Sequence, residues 1–292
     1  MGAPAIGVLC EAPITTSEPP LNYRHVFHAG NFADLIKHAC LTSVLARMTT
    51  GGPLSVIDTH AGAGLYDLDS TEARKSGEAQ AGIARLMADP AAPPVFDALK
   101  AEVKELNPSD SLRQYPGSPL LIANTLRAGD SLVACELRPD DFTRLEQAVK
   151  GPGVRTLCAD GYAIASGHAP IRGASLVLID PPFERGDEYE RVLACIAAVL
   201  RRNAETVILI WLPLKDLETF DSFLRGLEAM APLPVLVAEA RLRDLDDPMR
   251  MNGCALVMIN EPSCAEQDAE AACDWVVERL GEARGRARTW RL

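Results

Sequence analysis

The chain has 292 residues and a formal net charge of −11, with 29 Lys plus Arg against 40 Asp plus Glu. A chain of this length buries roughly 75% of the surface it exposes when unfolded, and its 48% hydrophobic and 24% charged residues are ordinary for a folded protein. These values exclude intrinsic disorder, a collagen-like repeat and a disulfide miniprotein, and the acid excess excludes a protein that coats a polyanion with surplus lysine.

Residues 1–20 lack the basic and apolar regions of a signal peptide and read as a disordered, Pro-rich extension. Residues 21–292 read as the folded domain. Apolar residues from Phe32 to Met48 recur at helical spacing behind Asn31, a natural N-cap. LSVID (54–58) is a buried strand that runs into the glycine-rich turn THAGAG. Further strands are expected at 131–136, 154–160, 174–180, 205–211, 234–242 and 254–260, giving seven in all. Helices are expected at 139–149, 187–202, 216–231 and 268–284. Alternating strands and helices imply an α/β fold with a mostly parallel sheet covered on both faces. Residues 66–126 break that rhythm with helical stretches near 79–88, 94–106 and 119–128 and read as an inserted helical subdomain. Nine acids against six bases over 66–115 give that insertion no nucleic-acid signature. No apolar run reaches 18 residues, so no membrane helix is expected. The eight cysteines contain no C-x-x-C pair and fit buried thiols of a cytoplasmic protein, without a zinc site or disulfide framework.

Three segments carry chemistry. In VIDTHAGAGLY (56–66), Gly62 and Gly64 follow a strand and let backbone approach a ligand, as in dinucleotide-type folds. The second strand ends in Glu136, where such folds hold ribose hydroxyls. Asp67 stands where a third glycine would be, which argues against a nicotinamide enzyme; a tight turn with no ligand is the plain alternative. IDPPFE (179–184) ends the fourth strand. Its two prolines remove N–H donors and leave the Asp180 and Pro181 carbonyls as acceptors beside the Asp180 carboxylate, with the flat ring of Phe183 adjacent. Acceptors on both hydrogens of a planar exocyclic amine localise its lone pair toward an electrophilic methyl, while a ring stacks on the base for roughly 1–3 kcal/mol. Asp180 is also placed to take the proton lost.

The third segment, LNYRHVFHAGNFADLIKHA (21–39), holds three of the five histidines. No carboxylate or cysteine lies at ligand spacing, so contacts to a cofactor or to RNA are favoured over a metal, and capping or surface roles stay open. Ser118 in the rigid turn PGSP is free to bond a ligand, and Asp160 in ADGY could read an adenine amine. The tail, 279–292, is rich in arginine with Trp290 among them; it reads equally as a basic patch for RNA or as a solvated helix end.

The succession YRHVFHAGNFADLIKH, DTHAGAG, PGSP, a strand-end Glu, ADG and IDPPF resembles the RlmJ family over residues 21–292. That family consists of bacterial 23S ribosomal RNA adenine-N6-methyltransferases that use S-adenosylmethionine. The resemblance implies a Rossmann-like class I methyltransferase fold with an inserted helical subdomain. It implies that His38, His60, Ser118, Glu136, Asp160, Gly161 and Asp180 bind the cofactor, with Gly62 beside them in the glycine turn. Asp180, Pro181 and Phe183 would carry catalysis, and Tyr23, His25 and Lys37 would engage RNA. Two departures stand out: Phe183 where tyrosine is common, and NEPS (260–263) without the proline and aromatic that can follow the last strand. The rival readings are methylation of DNA adenine or a protein glutamine, and a ribosome-assembly factor that keeps the fold without catalysis. For RNA, the charge of −11 implies recognition by local basic groups, among them Arg24, Lys37, Arg47 and the tail arginines.

Overall fold

The computed structural model describes residues 24–109, 111–230, 234–245 and 251–292; Tyr23 and the 1–20 extension therefore lie outside the described residues. Asn31 caps the first helix, α1 (Phe32–Met48), by accepting the Ala33 and Asp34 N–H groups at 3.0 Å. Buried residues occupy every side of α1, because it is held between the sheet and the helices that follow. The chain then forms β1 (Leu54–Asp58), β2 (Leu65–Asp67), α2 (Thr71–Ser76), α3 (Glu78–Ala81), α4 (Ile83–Ala88), α5 (Asp97–Leu106), β3 (Gln114–Pro116) and α6 (Ser118–Thr125). Next come β4 (Ser131–Cys135), α7 (Pro139–Ala148), β5 (Val154–Leu157), α8 (Gly161–His168), β6 (Ala174–Ile179), α9 (Glu188–Arg202), β7 (Val207–Pro213) and α10 (Leu217–Glu228). The last elements are β8 (Val235–Arg241), β9 (Gly253–Ile259), α11 (Ala265–Leu280) and β10 (Arg286–Arg291).

The main sheet has the order β10-β8-β9-β7-β6-β1-β4-β5. From β5 to β7 neighbouring strands are parallel, while β9 runs against both β7 and β8, and β10 against β8. The strand order reverses at β1, flanked by β4 and β6, so the carboxyl ends of β1, β4 and β6 open a crevice at the switch point. Strands β6 to β9 are almost continuously buried, as a sheet covered on both faces requires.

The expected sheet of seven strands is corrected to eight. The tail is not a solvated helix end: α11 stops at Leu280, and RARTWR forms β10. Its outward arginines made the segment look like a solvated helix terminus, but their alternation with Ala287 and Thr289 has the period of a strand. The connection from β1 to β4 holds α2 to α6 and a two-stranded β2-β3 ribbon. Asn31 and His28 reach it through Glu78, with hydrogen bonds of 2.9 Å from each.

Candidate active site

A cleft of about 1320 Å³ opens at the carboxyl ends of the parallel strands. Twelve residues singled out from the sequence line it, namely His25, Lys37, His38, His60, Gly62, Ser118, Glu136, Asp160, Gly161, Asp180, Pro181 and Phe183, whereas Arg24, Arg47 and the tail arginines do not.

One wall comes from β1 and β4. Glu136, just past β4, accepts the Gly62 N–H at 3.0 Å and the Arg138 N–H at 2.7 Å. Two backbone donors therefore fix the carboxylate and leave its remaining lone pairs toward the cleft. Burial lifts its pKa above the usual range, against the pull of those donors. Gly62 has φ +60, and a Cβ there would lie 2.2 Å from the Tyr66 hydroxyl, so the turn tolerates no side chain. Gly161 opens α8 against the same turn, where a Cβ would lie 1.9 Å from the Thr59 carbonyl oxygen. Asp160 caps α8 by accepting the Tyr162 N–H at 2.9 Å, and its other oxygen pairs with Arg191 at 2.7 Å. An adenine amine would meet only the lone pairs left over. His60 contacts Tyr162 edge-on at 4.8 Å; burial pushes its pKa down to about 4, so the ring is neutral near pH 7.

The floor holds a residue the sequence reading passed over. Asp58, fully buried at the end of β1, accepts the Ser118 hydroxyl at 2.7 Å. Burial pushes its pKa up to about 7, with the Ser118 bond opposing. Its signal was visible as the acid closing LSVID before the glycine turn. His38 receives or gives a hydrogen bond at 2.8 Å through Nδ1 to the Tyr115 hydroxyl, while Nε2 is buried without a partner. Burial pushes its pKa down to about 3, leaving a neutral ring with a free ring nitrogen in the cleft wall.

The opposite wall carries the Asp-Pro-Pro-Phe turn after β6. Lys37, only 4% exposed, joins Asp180 to Asp34: its ammonium hydrogen-bonds Asp180 and lies 2.9 Å from Asp34. Asp34 also accepts from the Gly30 N–H at 2.9 Å and contacts His25 at 3.1 Å. Burial opposes charge on both Asp34 and Lys37. Their mutual attraction, with Asp180 and His25, overrides it, so Asp34 stays well below and Lys37 well above the usual range. Lys37 was expected to meet RNA directly; the structure places it behind Asp180 in a buried His25–Asp34–Lys37–Asp180 chain. Asp34 was given no role from the sequence, where an Asp three residues before a Lys on a helix has the spacing of an ordinary surface pair. Arg47 pairs with Asp268 at 2.7 Å and is not part of the cleft. Phe183 lies at the cleft but is 5% exposed, with φ +50 and its ring 4.8 Å from Tyr189 and 6.1 Å from Trp211. It is packed into an aromatic cluster and exposes little of its surface.

A mostly parallel sheet with its crevice at the switch point, a glycine turn facing a strand-end Glu, and Asp-Pro-Pro-Phe opposite define a Rossmann-like methyltransferase. A family model described as "Ribosomal RNA large subunit methyltransferase D, RlmJ" matches residues 51–292. Ribosomal RNA large subunit methyltransferase J of Escherichia coli (strain K12) is 34% identical over 263 residues, covering 89% of this chain and 94% of that protein. The protein of the same name from Haemophilus influenzae is 33% identical over 264 residues, with the same coverage of 89% and 94%. A crystal structure of a Legionella pneumophila protein superposes with a TM-score of 0.81 at 29% identity, covering 90% of this chain and 98% of that one. The chain belongs to the RlmJ family of large-subunit ribosomal RNA methyltransferases.

Proposed function

We propose that this protein transfers a methyl group from S-adenosylmethionine to N6 of an adenosine in 23S ribosomal RNA. The observation that carries the reading is the Asp180-Pro181-Pro182-Phe183 turn facing, across one cleft, the Glu136 carboxylate and the glycine turn. The cleft exceeds the roughly 300–1,000 Å³ of an ordinary ligand site and has room for a cofactor and a base together. The polar groups fit the cofactor. Glu136 offers clamped acceptors for ribose hydroxyls, the buried Nε2 of His38 lacks a partner, and Ser118 is held in place by Asp58. When bound, S-adenosylmethionine supplies an electrophilic methyl group on a sulfonium.

The chain's own residues do the rest. Asp180 and the Pro181 carbonyl accept the two N6 hydrogens and localise the nitrogen lone pair on the methyl side. Lys37 fixes the Asp180 carboxylate from behind, and the surplus proton passes from N6 to an Asp180 oxygen. The lone pair so aligned would take the methyl group in one displacement, the carbon–sulfur bond breaking as the carbon–nitrogen bond forms and the thioether leaving. The Cys40, Cys254 and Cys273 thiols, pushed above their usual range by burial, take no part. The adenosine leaves its stack to enter the cleft at a cost of a few kcal/mol, and Phe183 and Trp211 border it. Tyr23 and His25 approach the RNA from the amino-terminal side. Residues 21–292 act as one methyltransferase domain, in which about 66–126 form an insertion. The protein works in the cytoplasm, on free RNA or an assembling large subunit, without a metal or membrane. No helix among the described residues is long and apolar enough to cross a membrane, and they contain no cluster suited to a metal ion.

Nucleoside mass spectrometry of large-subunit RNA from a strain lacking the gene tests the reading. The expected result is loss of one N6-methyladenosine, restored by the wild-type gene and not by an Asp180→Ala copy. Unchanged N6-methyladenosine would refute it.

A further inference from the structure

Strand β10 brings Arg286 to the end of the sheet at which the catalytic cleft opens, that of the β6 and β7 carboxyl termini. Pairing with β8 sets Arg286 opposite Arg241 and Arg288 opposite Glu239, so these side chains share one face. Arg241 lies opposite Gly253 on β9, and the Gly253 carbonyl accepts the Leu214 N–H at 3.0 Å. Leu214, Lys215 and Gly253 line the cleft. A row of residues thus runs sideways from the cleft wall across β9 and β8 to β10. At about 4.8 Å per strand, Arg286 is roughly 14 Å from the Leu214 position and roughly 19 Å from the β6 end that carries Asp180.

At the far end of this row lies a hollow of about 240 Å³ lined by Arg241, Arg243, Arg284 and Arg286, with Asp244. Neighbouring acids hold three of these guanidinium groups: Glu239 holds Arg241, Glu282 holds Arg243 at 2.8 Å, and Asp244 holds Arg284 at 2.7 Å. Arg286 and Arg288 are exposed, and Arg288 covers the Trp290 ring at 4.5 Å. No ion pair to either is found among the described residues. The tail's remaining arginines are spent on structure, since Arg279 pairs with Asp89 and Arg291 with Glu261 and Glu266. Counting Arg288, the described residues of the rim include five arginines against three acids on a chain whose overall charge is −11.

We propose that this arginine rim is a docking surface for the phosphate backbone of the RNA strand flanking the target base. The proposal rests on the ribosomal RNA methyltransferase reading above. A stacked strand rises about 3.4 Å per nucleotide, so the span from Asp180 to Arg286 corresponds to roughly six nucleotides. Guanidinium forks match phosphate oxygens two at a time. Because Arg288 already covers Trp290, the rim reads phosphates rather than stacking on bases. Fixed positive charge beside an acidic body also confines the polyanion to one approach, with the flanking strand anchored while the target base enters the cleft.

The test compares Arg286→Glu/Arg288→Glu with Arg172→Glu/Arg201→Glu, which changes net charge equally at exposed sites toward the opposite end of the sheet, before β6 and at the end of α9. Filter binding uses protein-free large-subunit ribosomal RNA from a strain lacking the enzyme, over about 50–200 mM salt. The rim variant should bind at least about tenfold more weakly, with the log–log salt slope reduced by about two. The control variant should stay within about twofold, and Arg286→Lys/Arg288→Lys should keep most of the affinity because charge dominates. Calorimetric binding of S-adenosylmethionine should be the same in all, which excludes misfolding. Equal affinity and slope in the rim and control variants would overturn the proposal. Because binding is read without turnover, it decides on the rim even if wild type leaves this RNA unmethylated, an outcome that would overturn the activity alone.

Discussion

Replacing Lys37 by Met tests whether the buried charge chain supports Asp180. Lys37 is 4% exposed and lies between Asp34, 2% exposed, and the Asp180 carboxylate. Its removal leaves buried carboxylates without their counter-charge, and such a loss costs about 3–5 kcal/mol. In a chain of this size that lowers the melting temperature by roughly 6–20 °C. The pH dependence gives a sharper test. In the wild type, Asp34 is depressed, so its contribution is present above the unfolded value of about 3.9 and is lost only as pH falls through its lower folded value. Lys37 is raised, so its contribution is complete below about 10.4 and is lost only above that, as pH rises through its folded value. Neither changes between pH 5 and 8. In the variant, burial drives the abandoned Asp34 upward, and Asp58, which Lys37 also holds down, moves the same way. Protonation then relieves the cost in acid, so the deficit should be largest at pH 8 and shrink toward pH 5. Thermal melts of both proteins across this range provide the measurement, and adding Asp34→Asn should recover part of the loss at pH 8. A variant melting within about 2 °C of wild type, or a deficit that grows toward pH 5, would refute the reasoning.

Asp180→Ala should reduce methylation at least about 100-fold while calorimetry still detects S-adenosylmethionine; near-normal turnover would remove Asp180 from the mechanism. Asp58→Asn probes the floor. Asp58 titrates near 7 in the folded chain and near 3.9 unfolded, so its ionisation costs stability progressively as pH rises from about 4 to 7. The Asn variant should therefore gain relative to wild type over that interval, by at most about 1.4 kcal/mol per pH unit; parallel urea-melt stabilities at pH 5 and 8 would contradict this. Gly161→Ala forces a methyl group to 1.9 Å from the Thr59 carbonyl oxygen and should cost about 1–3 kcal/mol together with most cofactor affinity. Wild-type calorimetry in that variant would show that the turn yields. His38 is already neutral, with a pKa near 3, so cofactor affinity should carry no titration from it between pH 5 and 8. A titration of the His38 ring itself in that window, followed by NMR with a His38→Gln variant to assign the signal, would contradict the burial argument.

Local order was largely legible in the chain. The bounds of α1 and β1 coincide with the apolar periodicity and with the Asn31 cap, because those signals act between residues close in sequence. The glycine turn, the strand-end Glu136 and Asp-Pro-Pro-Phe were likewise readable, since each motif needs particular residue types at fixed spacing. Pairing across the fold was not. RARTWR became β10 only because β8 offered an open edge, and no local propensity announces a partner some fifty residues away. Lys37 read as a phosphate contact until α1 was seen to carry it beneath Asp180, 143 positions further along. Phe183 read as an open stacking face until Tyr189 and Trp211 closed around it. The sequence by itself determined the groups available to this protein: a glycine turn after a strand, a strand-end carboxylate and the acceptors of Asp-Pro-Pro-Phe. Tertiary structure alone decided which charges are spent on one another and which face outward. A charge's partner and its desolvation depend on neighbours in space, and those are set by packing distant segments together.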